Sequence, residues 1–319
     1  MITLPAELGH ALAAMVARHR EQDLARAAGR LTARYRQPIH EPALRSAVDV
    51  AAYAATRMPA TYAAVTAALT QAAVCVPDFQ PASQLDIGGG TGAAIWAATA
   101  VWPSLRHVTV VERDLAVIEF GRRLAASAVH PAVRNATWNR SEIRVDLNTS
   151  PADLITLSYV LGELPPAVRD PVVGWLAGQA TTVAVIEPGT PDGHARVLAA
   201  RDQLIGLGMR VAAPCPHSAS CPLAGGDWCH FSARLPRTGL HRRLKSAELG
   251  FEDEKFSYVI ATFAPAIPPD SRVLRHPRTR KGLVTLTLCA DGVREESVSK
   301  RHGDVYRAAR NVEWGDPWL

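Results

Sequence analysis

The chain opens with apolar residues at three- and four-residue spacing, Leu8, Leu12, Met15 and Val16, the period of a helix that buries one face. Helical patterning continues to about residue 80, where Pro38, Pro42 and Pro59 are expected to divide it into several helices. From Pro81 the rhythm changes to short apolar runs alternating with longer amphipathic ones, the mark of a parallel sheet covered by helices. Strands are expected near 83–87, 107–112, within 129–145, over 152–159 and over 182–186, with helices at 92–101, 115–127 and 193–207. Then the alternation stops. Residues 211–250 are rich in Pro, Gly, Cys and His without a period, and strand-like runs resume at 255–262 and 282–290, separated by a basic linker from Ser271 to Lys281. The expected organisation is a helical region over 1–80, an α/β core over 81–210, and a cysteine-rich segment over 211–319 with two late strands and a basic tail.

The core is organised around Leu85-Asp86-Ile87-Gly88-Gly89-Gly90-Thr91-Gly92, an apolar run that breaks into a glycine turn and then a helix. Glycines at 88, 90 and 92 let the backbone approach a ligand closely, and the helix that follows points its positive end at the same place. Twenty-two residues after Gly90, Glu112 closes the second strand, placed to bind ribose hydroxyls. The spacing also satisfies the dinucleotide pattern. Asp86 separates the two readings, because a carboxylate before the loop would face the pyrophosphate of a nicotinamide cofactor but suits the ammonium and sulfonium of S-adenosylmethionine. The arrangement resembles a class I methyltransferase. Strand ends of such sheets share one crevice, so Asp86, Glu112, Ser158 and Glu187 are expected to line it.

Composition narrows the class without naming a function. A hydrophobic fraction of 48% and a charged fraction of 20% over 319 residues are those of a globular protein, and the alanine-rich runs are interrupted too often to span a membrane. With no basic-then-apolar leader, a cytoplasmic protein, read as a monomer, is expected. The net charge of +5 resides in the last third: residues 191–319 alone carry an excess of five cations. That bias suits an anionic partner such as RNA. Within it Arg272, Arg275, Arg278, Arg280 and Lys281 are the expected phosphate contacts, whereas the arginines at 18, 20, 26, 30, 34 and 36 read as a solvated helix face.

Cys75 sits in an apolar helical run and reads as a buried small hydrophobe, but the other four cysteines, Cys215, Cys221, Cys229 and Cys289, follow residue 214. Such clustering argues for a metal, either zinc or an iron–sulfur cluster, and the five- and seven-residue gaps are wide for a zinc ribbon.

Taken together, Ala54 to Tyr62, the Asp86 loop, Cys215-Pro216-His217, Asp227 to Phe231 and Glu252 to Tyr258 resemble a methyltransferase-like family of small-ribosomal-subunit assembly factors, with mitochondrial and bacterial members. The resemblance implies a class I S-adenosylmethionine-dependent methyltransferase fold of Rossmann-like α/β type, with an N-terminal helical region and a C-terminal cysteine-rich insertion. It further implies an S-adenosylmethionine pocket at Asp86, Gly88, Gly90, Gly92, Glu112 and Ser158, and a [4Fe-4S] cluster on Cys215, Cys221, Cys229 and Cys289. A 16S-type small-subunit RNA partner is implied, as is pairing of the runs at 255–262 and 282–290 in an antiparallel hairpin. Two roles fit, an rRNA methyltransferase or a non-catalytic assembly factor. No catalytic residue is assigned, since Ser158-Tyr159-Val160-Leu161 stands where amine-methylating enzymes carry an Asn/Asp-Pro-Pro-aromatic motif. The alternative of another class is a nicotinamide (NAD)-dependent oxidoreductase with structural zinc.

Overall fold

The computed structural model describes residues 1–34, 44, 46–223, 226–245 and 247–318. Pro38, Pro42 and Arg36, invoked above, lie outside them, as does the side chain of Arg34. The N-terminal region is helical as expected: α1 (Ala6–Val16), α2 (Glu21–Arg34), α3 (Ala47–Thr56) and α4 (Met58–Cys75). In α1 it is Leu8, Leu12, Met15 and Val16 that are buried. Ser46 caps α3, its hydroxyl accepting the Asp49 N–H at 3.2 Å. Pro59 breaks nothing internal; it occupies the first turn of α4, where its missing N–H has no partner to lose. Small residues bury α4 on most sides, Ala60, Ala63, Ala64, Ala68 and Ala72 among them, so the helix packs directly against the sheet and its neighbours.

The remaining elements are β1 (Ser83–Ile87), α5 (Ala93–Val101), β2 (His107–Glu112), α6 (Leu115–Ala125), α7 (Pro131–Arg134), β3 (Thr137–Arg140), β4 (Ala152–Ser158), α8 (Pro166–Ala177), β5 (Ala180–Pro188), α9 (Pro191–Gly206) and β6 (Arg210–Ala213). They are followed by β7 (Phe231–Pro236), α10 (Gly239–Leu244), β8 (Phe251–Thr262), β9 (Ser271–Val273), β10 (Arg278–Arg280), β11 (Leu283–Cys289), β12 (Val293–Ser299), α11 (Asp304–Ala309) and β13 (Pro317–Trp318). The main sheet runs β3-β2-β1-β4-β5-β8-β6, with β7 also on β8. Its first five strands are parallel, and β8 lies antiparallel between β5 and β6. The α/β expectation, parallel-dominated and of class I methyltransferase type, therefore holds. Alternation along the strands sorts the two faces. Leu85, Ile87, Ile155 and Leu157 pack with α8 and α9, while the opposite face packs with α4, α5 and α6.

The C-terminal third departs from expectation. The strand at 251–262 and the strand at 283–289 do not pair: β8 joins the main sheet, and β11 is the centre of a second, antiparallel sheet ordered β10-β11-β9-β13 with β12 on β11. The hairpin partner of β11 is β12, from Leu283↔Ser299 to Cys289↔Val293. A turn at Asp291-Gly292 closes that ladder over a few residues, which costs about 1–2 kcal/mol less chain entropy than closing a loop of about twenty residues. The stretch 271–281 is likewise no linker but carries β9 and β10. Among the described residues, no helix is long and apolar enough to cross a membrane.

Candidate cofactor crevice and cysteine cavity

The turn after β1 uses its glycines as expected. Gly88, Gly90 and Gly92 have φ of +65°, +56° and +90°, a region closed to most side chains. Gly88 N–H donates to Val111 O at 2.8 Å, tying the loop to β2. Within this turn the least room is at Gly89, which has no positive φ. A Cβ on Gly89 would lie 2.5 Å from both Asp86 Oδ2 and Val110 Cγ1.

Asp86 sits beneath this turn with 1% of its surface exposed. Thr156 Oγ1 donates to its Oδ1 at 2.7 Å, while Oδ2 is buried without a hydrogen-bond partner. Burial pushes its carboxyl up to about 7, against the Thr156 bond and with the help of nearby Glu112. A half-satisfied carboxylate below a glycine turn attracts a cation. Glu112 stands where expected, but its oxygens already accept backbone N–H groups, Gly90 at 3.1 Å on one, and Arg113 at 2.7 Å and Asp114 at 3.0 Å on the other. A carboxylate has about four lone-pair sites, so one remains for a ribose hydroxyl.

Across the crevice Ser158 ends β4 with its hydroxyl buried and unpartnered. Tyr159 follows at φ +61°, the sole non-glycine residue at positive φ among those described. Strain of this kind recurs at functional sites. Its phenol donates to Glu254 Oε1 at 2.9 Å, and Arg57 Nη2 reaches the same oxygen at 3.3 Å. Arg57 and Glu254 belong to two of the five runs that carry the resemblance, Ala54–Tyr62 and Glu252–Tyr258, and lie 197 positions apart, with no local mark that the runs meet. Glu187 is a clamp rather than an open ligand: it accepts Leu161 N–H at 2.9 Å and Arg196 Nε–H at 2.7 Å, and burial raises its carboxyl against both bonds.

The other site lies at the junction of the two sheets. Cys215, Cys221 and Cys229 come from the loop between β6 and β7, and Cys289 from the end of β11, yet all four line one cavity, with Arg201 and Arg272. All are free thiols. Burial raises Cys215 and Cys229 and takes Cys289 up to about 12, while Arg201 and Arg272 oppose the rise at Cys215 and Cys289. Among the described residues no group of three or more His, Cys, Asp or Glu is placed to hold a single metal ion. Four soft donors around one cavity, beside buried cations that favour thiolate, have the chemistry of a thiolate metal site. Cys75 is buried at the end of α4, outside this ring.

The basic run scatters. Arg272 was expected to touch phosphate, but β9 is an interior strand and Arg272 is 1% exposed, its guanidinium bonded to Pro214 O, Gln71 Oε1 and Gly315 O. That expectation is corrected by burial. Arg275 is half-buried and paired with Asp227 at 2.5 Å, and Arg278 pairs with Glu295. Arg280 and Lys281 are exposed.

A sequence model of the family described as mitochondrial small ribosomal subunit Rsm22 matches residues 47–319. The human protein named "Ribosome assembly protein METTL17, mitochondrial" is 32% identical over 293 residues, 83% of this chain and 61% of that protein. Rsm22-cox11 tandem protein 2, mitochondrial, of Schizosaccharomyces pombe is 23% identical over 339 residues, 88% of this chain and 44% of that protein. The chain thus spans roughly half to three-fifths of the length of these relatives. Among solved structures, magnesium protoporphyrin IX methyltransferase from Synechocystis, with bound SAH, is similar at TM-score 0.40 and 10% identity, covering 63% of this chain and 83% of that one. The expected cytoplasmic location is overturned: the matching family and both relatives are named mitochondrial, pointing to the mitochondrion.

Proposed function

Because the chain belongs to the Rsm22 family of mitochondrial small ribosomal subunit proteins, we propose that it is a methyltransferase-fold protein that binds small-subunit RNA and serves small-subunit assembly. In this reading it holds S-adenosylmethionine at the Gly88–Gly92 turn and a [4Fe-4S] cluster on Cys215, Cys221, Cys229 and Cys289. The observation that carries it is the meeting of four thiols from separate segments in one cavity. The five- and seven-residue gaps between Cys215, Cys221 and Cys229 are wide for a structural zinc site and support a larger metal–sulfur group. When bound, such a cluster supplies covalent cross-links and one-electron redox capacity. The cysteines then tie the 214–230 loop and the second sheet to the first.

Asp86 supports S-adenosylmethionine over a nicotinamide cofactor, since its unpartnered oxygen favours a cationic ligand. The assembly role is favoured over methyl transfer by Tyr159, whose phenol at the acceptor side is already held by Glu254. The exposed Arg280 and Lys281, with Arg275 and Arg278 nearby, are the residues proposed to meet phosphates.

Anaerobic purification with iron, sulfide and zinc analysis tests the cluster, together with mapping of crosslinked RNA and calorimetry against S-adenosylmethionine and NAD. Brown protein carrying iron and sulfide, crosslinked to small-subunit RNA, is expected. Colourless protein with stoichiometric zinc would overturn the cluster, and heat of binding from NAD alone would overturn the pocket assignment. Methyl incorporation into small-subunit RNA that is lost in Gly88 or Glu112 variants, while binding persists, would replace the assembly role by catalysis.

A further inference from the structure

Two arginines face the four-cysteine cavity and neither reaches solvent: Arg201 in α9 is 3% exposed and Arg272 in β9 1%. A buried guanidinium is costly unless an anion accompanies it. Arg201 has a carboxylate, Asp202 at 2.7 Å, but that group is 60% exposed and largely screened by water. Arg272 has neutral acceptors only among the bonds described: Pro214 O at 2.8 Å, Gln71 Oε1 at 2.5 Å and Gly315 O at 3.0 Å. After these bonds Arg201 Nε and Arg272 Nη2 are buried with no oxygen or nitrogen partner, and the groups beside the two guanidinia are thiols, Cys215 by Arg201 and Cys75, outside the ring, by Arg272, whose charge also acts on Cys215 and Cys289. Two buried cations therefore stand beside the four thiols of the cavity.

We propose that Arg201 and Arg272 are positioning residues for the metal–sulfur group, the internal counter-cations that balance its charge. This rests on reading the cavity as a cluster site. Four thiolates around either a [4Fe-4S] core of charge 2+ or one zinc ion leave a formal double negative charge, which two guanidinia cancel. The same side chains also fix the ligand loop. Arg201 Nη2 donates to His217 O at 3.2 Å and Ala219 O at 2.5 Å, between Cys215 and Cys221, and Arg272 Nε holds the carbonyl of Pro214 next to Cys215. One pair of residues thus supplies both charge balance and loop geometry. Neither effect needs Arg272 at the surface, where the sequence pattern had put it.

The test reconstitutes the full chain anaerobically with iron and sulfide, as wild type, Arg201→Gln, Arg201→Lys, Arg272→Gln and Arg272→Lys. Metal content, chelator-driven loss of the visible absorption and the midpoint potential from an EPR-monitored redox titration are read for each. Reduction adds negative charge that a nearby cation stabilises, so each Gln variant is expected to favour the oxidised cluster at least tenfold more than wild type. For one electron that is about 59 mV toward more negative potential. Chelator-driven loss should also be at least tenfold faster in the Gln variants. The Lys variants, which keep the charge but lose the fork, should retain a wild-type potential while still releasing metal faster. Gln variants that load fully and keep wild-type potential and release rate overturn the arginine role alone. Wild-type protein that takes up neither iron and sulfide nor zinc overturns the cluster reading, and this proposal with it. If wild type takes only zinc, the release rates still decide the arginine role. If Arg272→Gln does not fold, judged by circular dichroism, the Arg201 pair and Arg272→Lys decide the matter.

Discussion

Replacing Asp86 by Asn should make the ligand-free protein more stable, and increasingly so as the pH rises. Asp86 is fully buried with one oxygen unpartnered, and its carboxyl titrates at about 7. Between about pH 4 and pH 7 the folded state holds a proton that the unfolded state has released, so stability falls as pH rises through this window. The loss reaches about 4 kcal/mol once the folded carboxyl has ionised. Asn keeps the acceptor for Thr156 and never ionises, at a cost of about 1–2 kcal/mol for an unpartnered buried amide. The variant should therefore be about 2–3 kcal/mol more stable than wild type at pH 8 and nearly equal to it at pH 5. Urea unfolding at the two pH values measures the difference directly. A cationic ligand adds a second reading: S-adenosylmethionine at pH 8 should raise the wild-type midpoint more than the variant's. If the difference between the two proteins is the same at pH 5 and pH 8, Asp86 is not the strained group described and loses its role in choosing the cofactor.

Gly89→Ala forces a methyl group within 2.5 Å of Asp86 Oδ2 and Val110 Cγ1; it should cost about 1–3 kcal/mol in urea unfolding and abolish the calorimetric response to S-adenosylmethionine. Glu252 gathers Lys245 at 2.6 Å, Arg237 at 3.2 Å and His241 at 3.2 Å. Burial opposes its ionisation, but the His241 ring beside it and hydrogen bonds from Lys245 hold its carboxyl far below the usual range. Its stabilising contribution is thus complete above about pH 4.5 and is lost as the pH falls below that, and Glu252→Gln should remove about 2–4 kcal/mol at pH 7. The double substitution Arg280→Ala with Lys281→Ala should weaken RNA binding and flatten its log–log salt slope by about 1–2, read by filter binding from low to moderate salt; an unchanged slope would remove this surface from the RNA contact.

The strand and helix positions of the α/β core could be read in advance because local signals set them: apolar runs of strand length and a glycine turn at a fixed distance from the acidic strand end. Burial could not be read that way. Arg272 and Arg275 belong to one basic run, but the first is interior because β9 is flanked by β11 and β13, a pairing between distant segments with no local mark. The same limit hid the Tyr159–Glu254–Arg57 contact, whose members come from three parts of the chain. Asp291-Gly292 is different, since this turn pair announces a hairpin and would have assigned β12 to β11 without the structure.

Strand β8 has a consequence of another kind. It gives Glu254 to the crevice, where Tyr159 and Arg57 hold it, and three residues on Ser257 donates to the carbonyl of Cys229 at 2.7 Å while Tyr258 lines the cysteine cavity. The crevice and the cysteine cavity therefore share one strand, and a substitution that shifts β8 displaces groups at both together.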